Sequence, residues 1–360
     1  MSDAHRLEEL LGEAYEMDHG EAQVRILDEA VKLADSLQDM DMAFYARMQL
    51  TEAATFSGHN ERMMTSFSWC LAQYEKDADR YEELDWDLMW QFKWVVSGIS
   101  SFPHVPTPEF HRLLAQMKTM YQERGYGLRS VHYTHFTFCF DSGNFAEAKR
   151  LLEIWPDLPR DDLADCEACE ADSYVNYYSG IDEPEKAIQA ATSIVNGEQT
   201  CAEVPHVTYS TLLRCLAQVG RYDEADEYQA KDYRMIRRNS EFLLQIGEHI
   251  SYLVHRNKLT KAIRLVETHL DWALHTYELN AKFHFLAAAT HLLEQLGDKP
   301  LKLKLPTKFA RFESAGVYDV SELAEWFRSE RDTLAQSFDN RNGNDHFGRR
   351  LVEAHGYVGI

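Results

Sequence analysis

Cys166 and Cys169, three residues apart, are the strongest candidates for metal chemistry in this 360-residue sequence. Two thiolates joined by two imidazoles suit tetrahedral zinc. His132 and His135 share the three-residue spacing, and Cys139 lies one helical turn beyond His135. His132 lies 11 residues before Gly143, and Cys169 lies 11 before Gly180. If those glycines end equivalent, side-by-side helices, the four residues converge. The competing account is packing, because cysteine behaves as a small apolar filler. Packing is the simpler expectation for Cys166 and Cys169, and no metal or cofactor is assigned.

Other reactive groups are less ordered. Asp161–Asp162 and Glu167–Glu170 are acid pairs, but glycoside hydrolysis needs two carboxylates facing each other across a cleft. His255, His269, His275, His284 and His291 cluster late in the chain and are expected to divide between core and surface. The sequence has no phosphate-binding Gly-x-x-x-x-Gly-Lys-Ser/Thr, no Gly-x-Gly-x-x-Gly, no His-Glu-x-x-His and no Gly-x-Ser-x-Gly. A non-enzymatic protein is the expectation.

The elements that must position these residues are helices. Apolar residues recur at helical spacing, as in Leu7, Leu10, Leu11 and Ala14, then Ile26, Leu27, Ala30, Val31 and Ala34. Strand-like alternation is confined to Leu301–Leu305, before Pro306. Breakers at Gly20, Gly58, Gly98, Gly143, Gly180, Gly220, Asn257 and Gly297 return at intervals of 37 to 45 residues. About seven helix pairs fit between residues 4 and 296. A helix pair cannot bury its apolar face alone, so such units stack. After Gly297, Lys299, Lys302, Lys304, Lys308 and Arg311 form a basic cluster. A helix is expected near Val320–Phe338, then a polar loop and a short end segment, Leu351–Ile360. The domain expectation is a repeat array over 1–298, with a basic linker and capping helices over 299–360.

Composition narrows the partner. Against 37 basic side chains stand 59 acidic ones, a formal charge of −22. That field repels nucleic acid and anionic lipid and favours basic or mixed apolar and basic proteins or peptides. Six irregularly spaced cysteines do not make a disulfide framework. No stretch approaches the roughly 20 apolar residues of a membrane span. The N-terminus lacks the charged-then-apolar pattern of a secretory signal. A cytoplasmic location is the expectation.

The run Gly220-Arg221-Tyr222-Asp223-Glu224-Ala225 has a near copy in Gly143-Asn144-Phe145-Ala146-Glu147-Ala148. Asn257-Lys258-Leu259-Thr260-Lys261-Ala262 keeps the apolar third position and the alanine. These runs resemble the turn and second-helix start of the tetratricopeptide repeat. The resemblance is best over 206–237, weaker over 131–154 and 241–273, and poor before residue 100. The period exceeds that family's usual ~34 residues. Phe136, Leu213 and Ile250 stand where it places a small residue, and HEAT-like pairs remain an alternative. The resemblance implies an all-α fold: a right-handed α-solenoid of antiparallel helix pairs with a C-terminal helical cap.

In such arrays the first helix of each pair lines a concave groove. Inward positions lie about 13, 10, 6 and 3 residues before the turn glycine. Counting back gives Tyr45, Met48 and Glu52; Asp85, Leu88 and Phe92; Tyr133 and Thr137; Glu167, Glu170, Tyr174 and Tyr177; Ser210 and Arg214; His284, His291 and Glu294. Aromatics give contact area and acids select basic side chains. The expected function is a protein- or peptide-binding scaffold with an acidic, aromatic groove. The alternative is an enzyme, or a metal or small-ligand module, on the same scaffold.

Overall fold

The computed structural model describes residues 2–297 and 299–354, so the last six residues of the expected end segment lie outside the description. Among the described residues are 18 α-helices and one short two-stranded ribbon. The helices are α1 (Asp3–Tyr15), α2 (Glu21–Leu37), α3 (Met40–Phe56), α4 (Asn60–Tyr74), α5 (Asp85–Gly98), α6 (Thr107–Glu123), α7 (Arg129–Asp141), α8 (Phe145–Leu152) and α9 (Glu167–Gly180). There follow α10 (Pro184–Ala190), α11 (Thr192–Val195), α12 (His206–Gln218), α13 (Tyr222–Ile236), α14 (Leu243–His255), α15 (Leu259–His275) and α16 (Leu279–Leu296). β1 (Leu301–Lys302) and β2 (Val317–Tyr318) then precede α17 (Val320–Asn342) and α18 (His346–Ala354). None of these helices is long and apolar enough to cross a membrane.

The chain forms two compact units. One comprises the chain up to Ile99 with Pro108–Phe138 and Arg150–Ala164. The other comprises Ser100–Thr107, Cys139–Lys149 and the described residues from Asp165 onward.

In the first unit, α1, α2, α3, α4 and α5 each pack on the next, and α3 also packs on α5. Leu7, Leu10, Val24, Leu27, Ala30, Ala46 and Leu50 bury the stripes of α1 to α3 in one core. The start of α3 is capped: the Asp39 carboxylate accepts from Met42 N–H at 3.1 Å. The Phe110 and Phe138 rings stack at 3.6 Å.

In the second unit α9 packs on α12, α12 on α14, and α14 on α16, while α10, α13 and α15 pack on the helices they follow. The turns joining α7 to α8, α9 to α10, α12 to α13 and α14 to α15 repeat one hydrogen-bond pattern. At Gly143, Asp182, Gly220 and Asn257 the residue has positive φ (78°, 60°, 76° and 52°). In each, the next residue's N–H closes on a carbonyl five back: Asn144 to Cys139, Glu183 to Tyr178, Arg221 to Leu216 and Lys258 to Leu253, at 2.8–2.9 Å. This is the Schellman stop, which needs one left-handed residue; Asn and Asp tolerate that conformation better than most.

The 299–354 stretch shares its core with the helices before it. Leu303, Leu305, Phe309, Tyr318, Leu323 and Phe327 are buried with Ile250, Leu253, Leu286 and Leu293 of α14 and α16. The alternating run pairs Leu301 with Tyr318 and Lys302 with Val317, antiparallel. From the last turn of α17 onward the chain returns to the earlier loop. Arg341 donates to the Ser100 and Phe102 carbonyls at 2.9 and 3.3 Å, and Thr107 Oγ1 donates to the Arg341 carbonyl at 3.0 Å. Asn344 Nδ2 donates to the Ser142 carbonyl at 2.7 Å.

Candidate functional site

The left-handed turn after α9 is at Asp182, two residues past the Gly180 that the sequence suggests. Gly180 is the last residue of α9, and a Cβ there would meet the Phe140 ring at 2.6 Å. Counting back 13, 10, 6 and 3 from Asp182 gives Cys169, Asp172, Asn176 and Ser179 in place of Glu167, Glu170, Tyr174 and Tyr177. Glu167 is exposed in the first turn of α9, Tyr174 is half-buried, and Glu170 and Tyr177 are buried. The Tyr177 ring lies 6.3 Å from that of Phe140.

Asp172 and Asn176 belong to a polar seam in the second unit. Thr208 Oγ1 of α12 donates to Asp172 Oδ1 at 2.5 Å, and Asn176 Nδ2 donates to Asp172 Oδ2 at 2.7 Å. Thr211 Oγ1 donates to Asn176 Oδ1 at 2.8 Å. Gln218 Nε2 donates to Asp182 Oδ1 at 2.7 Å, and the Arg214 guanidinium lies 3.7 Å from the same carboxylate. On α14 and α16, Glu248 and His284 approach to 3.7 Å. Burial drives the Asp172 carboxyl up to about 6, against the pull of the Thr208 and Asn176 hydrogen bonds. Burial also raises Glu248, opposed by the charges of Arg350, Arg214 and His249. His284 is held well below the usual histidine range, by burial first and then by Arg350 and His346. Its contact with Glu248 is therefore not an ion pair at neutral pH.

The first unit presents rings instead. Trp86, Trp90 and Trp94 fall one turn apart on α5, with centroids 5.1 and 6.3 Å apart. Trp94 meets Phe56 of α3 edge-on at 5.0 Å, and Phe56 stacks on His19 at 4.9 Å. Trp86 is 42% exposed. Tyr45 and Glu52, on α3 with Phe56, are exposed. The other predicted residues of α5 are differently placed: Leu88 and Phe92 are fully buried, the Phe92 ring packing 5.0 Å from that of Phe67. Sequence counting missed the tryptophans because Gly98 closes α5 without a left-handed turn and runs into the short helix Ile99–Ser101. Tyr133 is half-buried, its ring edge-on to Trp155 at 5.1 Å, and Thr137 Oγ1 donates to the Thr134 carbonyl at 2.9 Å.

The two cysteines divide: Cys166 is exposed, against the packing expectation, whereas half-buried Cys169 packs with Cys201 against the core that contains Ala168, Val175 and Leu212. The group that joins them is Cys201, whose Sγ lies 3.5 Å from that of Cys169. The equivalence of Cys169 with His132 rested on Gly180 as the turn and fails with it. His135 sits beside α6, its ring 5.6 Å from that of His111 and 6.0 Å from that of Phe110.

No protein-family model matches this chain, and no curated protein does.

Proposed function

We propose that the chain is a tetratricopeptide-like repeat protein, a right-handed solenoid that holds a protein or peptide segment against its first helices. The observation carrying this reading is the constant separation of lateral bonds in the second unit. Thr208–Asp172 and Gln218–Asp182 are 36 residues apart, Thr211–Asn176 35, and Tyr233–His269 36. A fixed separation across successive helices is what stacked, equivalent helix pairs produce. In the first unit the Trp86–Trp90–Trp94 stripe offers rigid, low-entropy contact area; taken by itself, the second unit's seam through Arg214, Glu248 and His284 offers polar readout. The net charge of −22 favours a basic segment.

The test is binding to immobilised synthetic peptides of graded charge and aromatic content. Basic, aromatic peptides should be retained, more weakly as salt rises. Glu248→Lys should reduce retention, whereas Glu227→Lys, on the exposed face of α13, should not. Binding lost with Glu227→Lys but kept with Glu248→Lys would overturn the assignment, as would retention of no peptide above a scrambled control.

A further inference from the structure

We propose that Cys166, Cys169 and Cys201 form a three-thiolate site for a thiophilic divalent ion, zinc. Their sulfur atoms all lie within 4.8 Å of one another. With a Zn–S bond of about 2.3 Å, sulfurs at tetrahedral positions stand about 3.8 Å apart. The Cys169–Cys201 separation of 3.5 Å is already close to that value.

Backbone N–H groups are directed at two of the three sulfurs. Cys166 is the N-cap of α9, and its Sγ accepts the Cys169 N–H at 3.3 Å. Cys201 Sγ accepts the Val204 N–H at 3.4 Å, and Cys201 N–H in turn donates to the Val204 carbonyl at 2.9 Å. That turn is anchored: Ser193 Oγ donates to Gln199 Oε1 at 2.6 Å, and the Ser193 carbonyl accepts the Glu198 and Gln199 N–H groups. Such N–H donors are the outer contacts that hold metal-binding thiolates in place.

The alternatives fit less well. A core-filling role does not suit an exposed Cys166. A Cys169–Cys201 disulfide would leave Cys166 without a purpose beside it. Three sulfurs fill three tetrahedral positions, and the fourth falls to water or an incoming donor. Loading converts three thiols and Zn²⁺ into a zinc tris-thiolate with release of three protons, so affinity falls steeply as pH is lowered.

The experiment begins with full-length protein, reduced and stripped with a chelator. Zinc is then titrated against a chromophoric competitor, and bound metal is measured by mass spectrometry. One equivalent should bind per chain, Cys201→Ser should lose it, and Cys215→Ala should keep it. Alkylation of the wild-type protein gives a readout independent of any variant's folding: Cys166, Cys169 and Cys201 should react without zinc and be protected together by one equivalent. Cobalt should give the absorption of a tetrahedral thiolate complex. Sub-stoichiometric zinc, full binding by Cys201→Ser, or alkylation of Cys201 at an unchanged rate with zinc present would overturn the site. Failure here would leave the peptide-binding proposal untouched, since none of its test residues is a cysteine.

Discussion

Gly247 stands directly against the backbone of His284. A Cβ built on it would lie 3.1 Å from the His284 carbonyl carbon and oxygen and from the Phe285 nitrogen. Those atoms belong to the α16 main chain and cannot swing aside as a side chain can. Gly247→Val should therefore push α14 from α16 and lower stability by about 1–3 kcal/mol, the usual cost of overpacking. Gly247→Ala should cost less, because alanine's helix propensity returns about 1 kcal/mol. Urea midpoints check the order; a valine variant as stable as wild type would refute the close approach.

Asp172 gives stability a defined dependence on pH. Its folded value of about 6 lies above the roughly 3.9 of an unfolded aspartate. Between these values the folded state keeps a proton that the unfolded state has lost, so stability falls as pH rises from about 4 to about 6. Asp141, also driven up to about 6 by burial, acts in the same window. Asp172→Asn should lessen the decline without abolishing it. Parallel wild-type and variant curves from pH 4 to 7 would contradict this.

His269 works with the opposite sign. It is fully buried, its Nε2 lies 3.1 Å from the Tyr233 hydroxyl, and Nδ1 has no hydrogen-bond partner among the described residues. Burial and then the His249 charge bring it down to about 4. The unfolded chain binds a proton near pH 6.5, so this contribution is present above 6.5 and is lost as pH falls toward 4. His269→Gln keeps an acceptor for Tyr233 and does not titrate. It should flatten the acid limb of the stability curve, and an unchanged limb would refute the assignment.

Trp86 separates binding from folding. The ring is exposed and touches Trp90 at one end of the stripe. Trp86→Ala should cost about 0.5–1.5 kcal/mol of stability for the lost ring pair. Loss of peptide binding should be larger, tenfold or more, if the stripe carries the contact. Equal peptide affinity for variant and wild type would remove the stripe from the binding surface.

Helical periodicity was readable because buried stripes in α1, α2 and α12–α16 follow the 3.6-residue repeat. The turns at Gly143, Gly220 and Asn257 were readable because glycine and asparagine announce a left-handed residue. Asp182 does the same work with a residue common on any helix surface. A nearby glycine drew the count two positions away, and the seam of Asp172 and Asn176 was lost with it. Cys201 was hidden differently: 31 residues separate it from Cys169, and only the packing of α12 beside α9 brings the 199–205 turn to that helix start. The tryptophans of α5, of which Trp86 alone is exposed, carry no turn signal.

The hydrogen bonds from Arg341 to Ser100 and Phe102 join residues 241 and 239 apart in sequence. During synthesis, at roughly 5–20 residues per second, the Ser100 and Phe102 carbonyls wait on the order of 10–50 s for that guanidinium to leave the ribosome. Residues 100–107 therefore emerge long before the arginine that pins them. A chain halted before Arg341 lacks both of these bonds, and the Phe102 carbonyl keeps the local Val105 N–H alone.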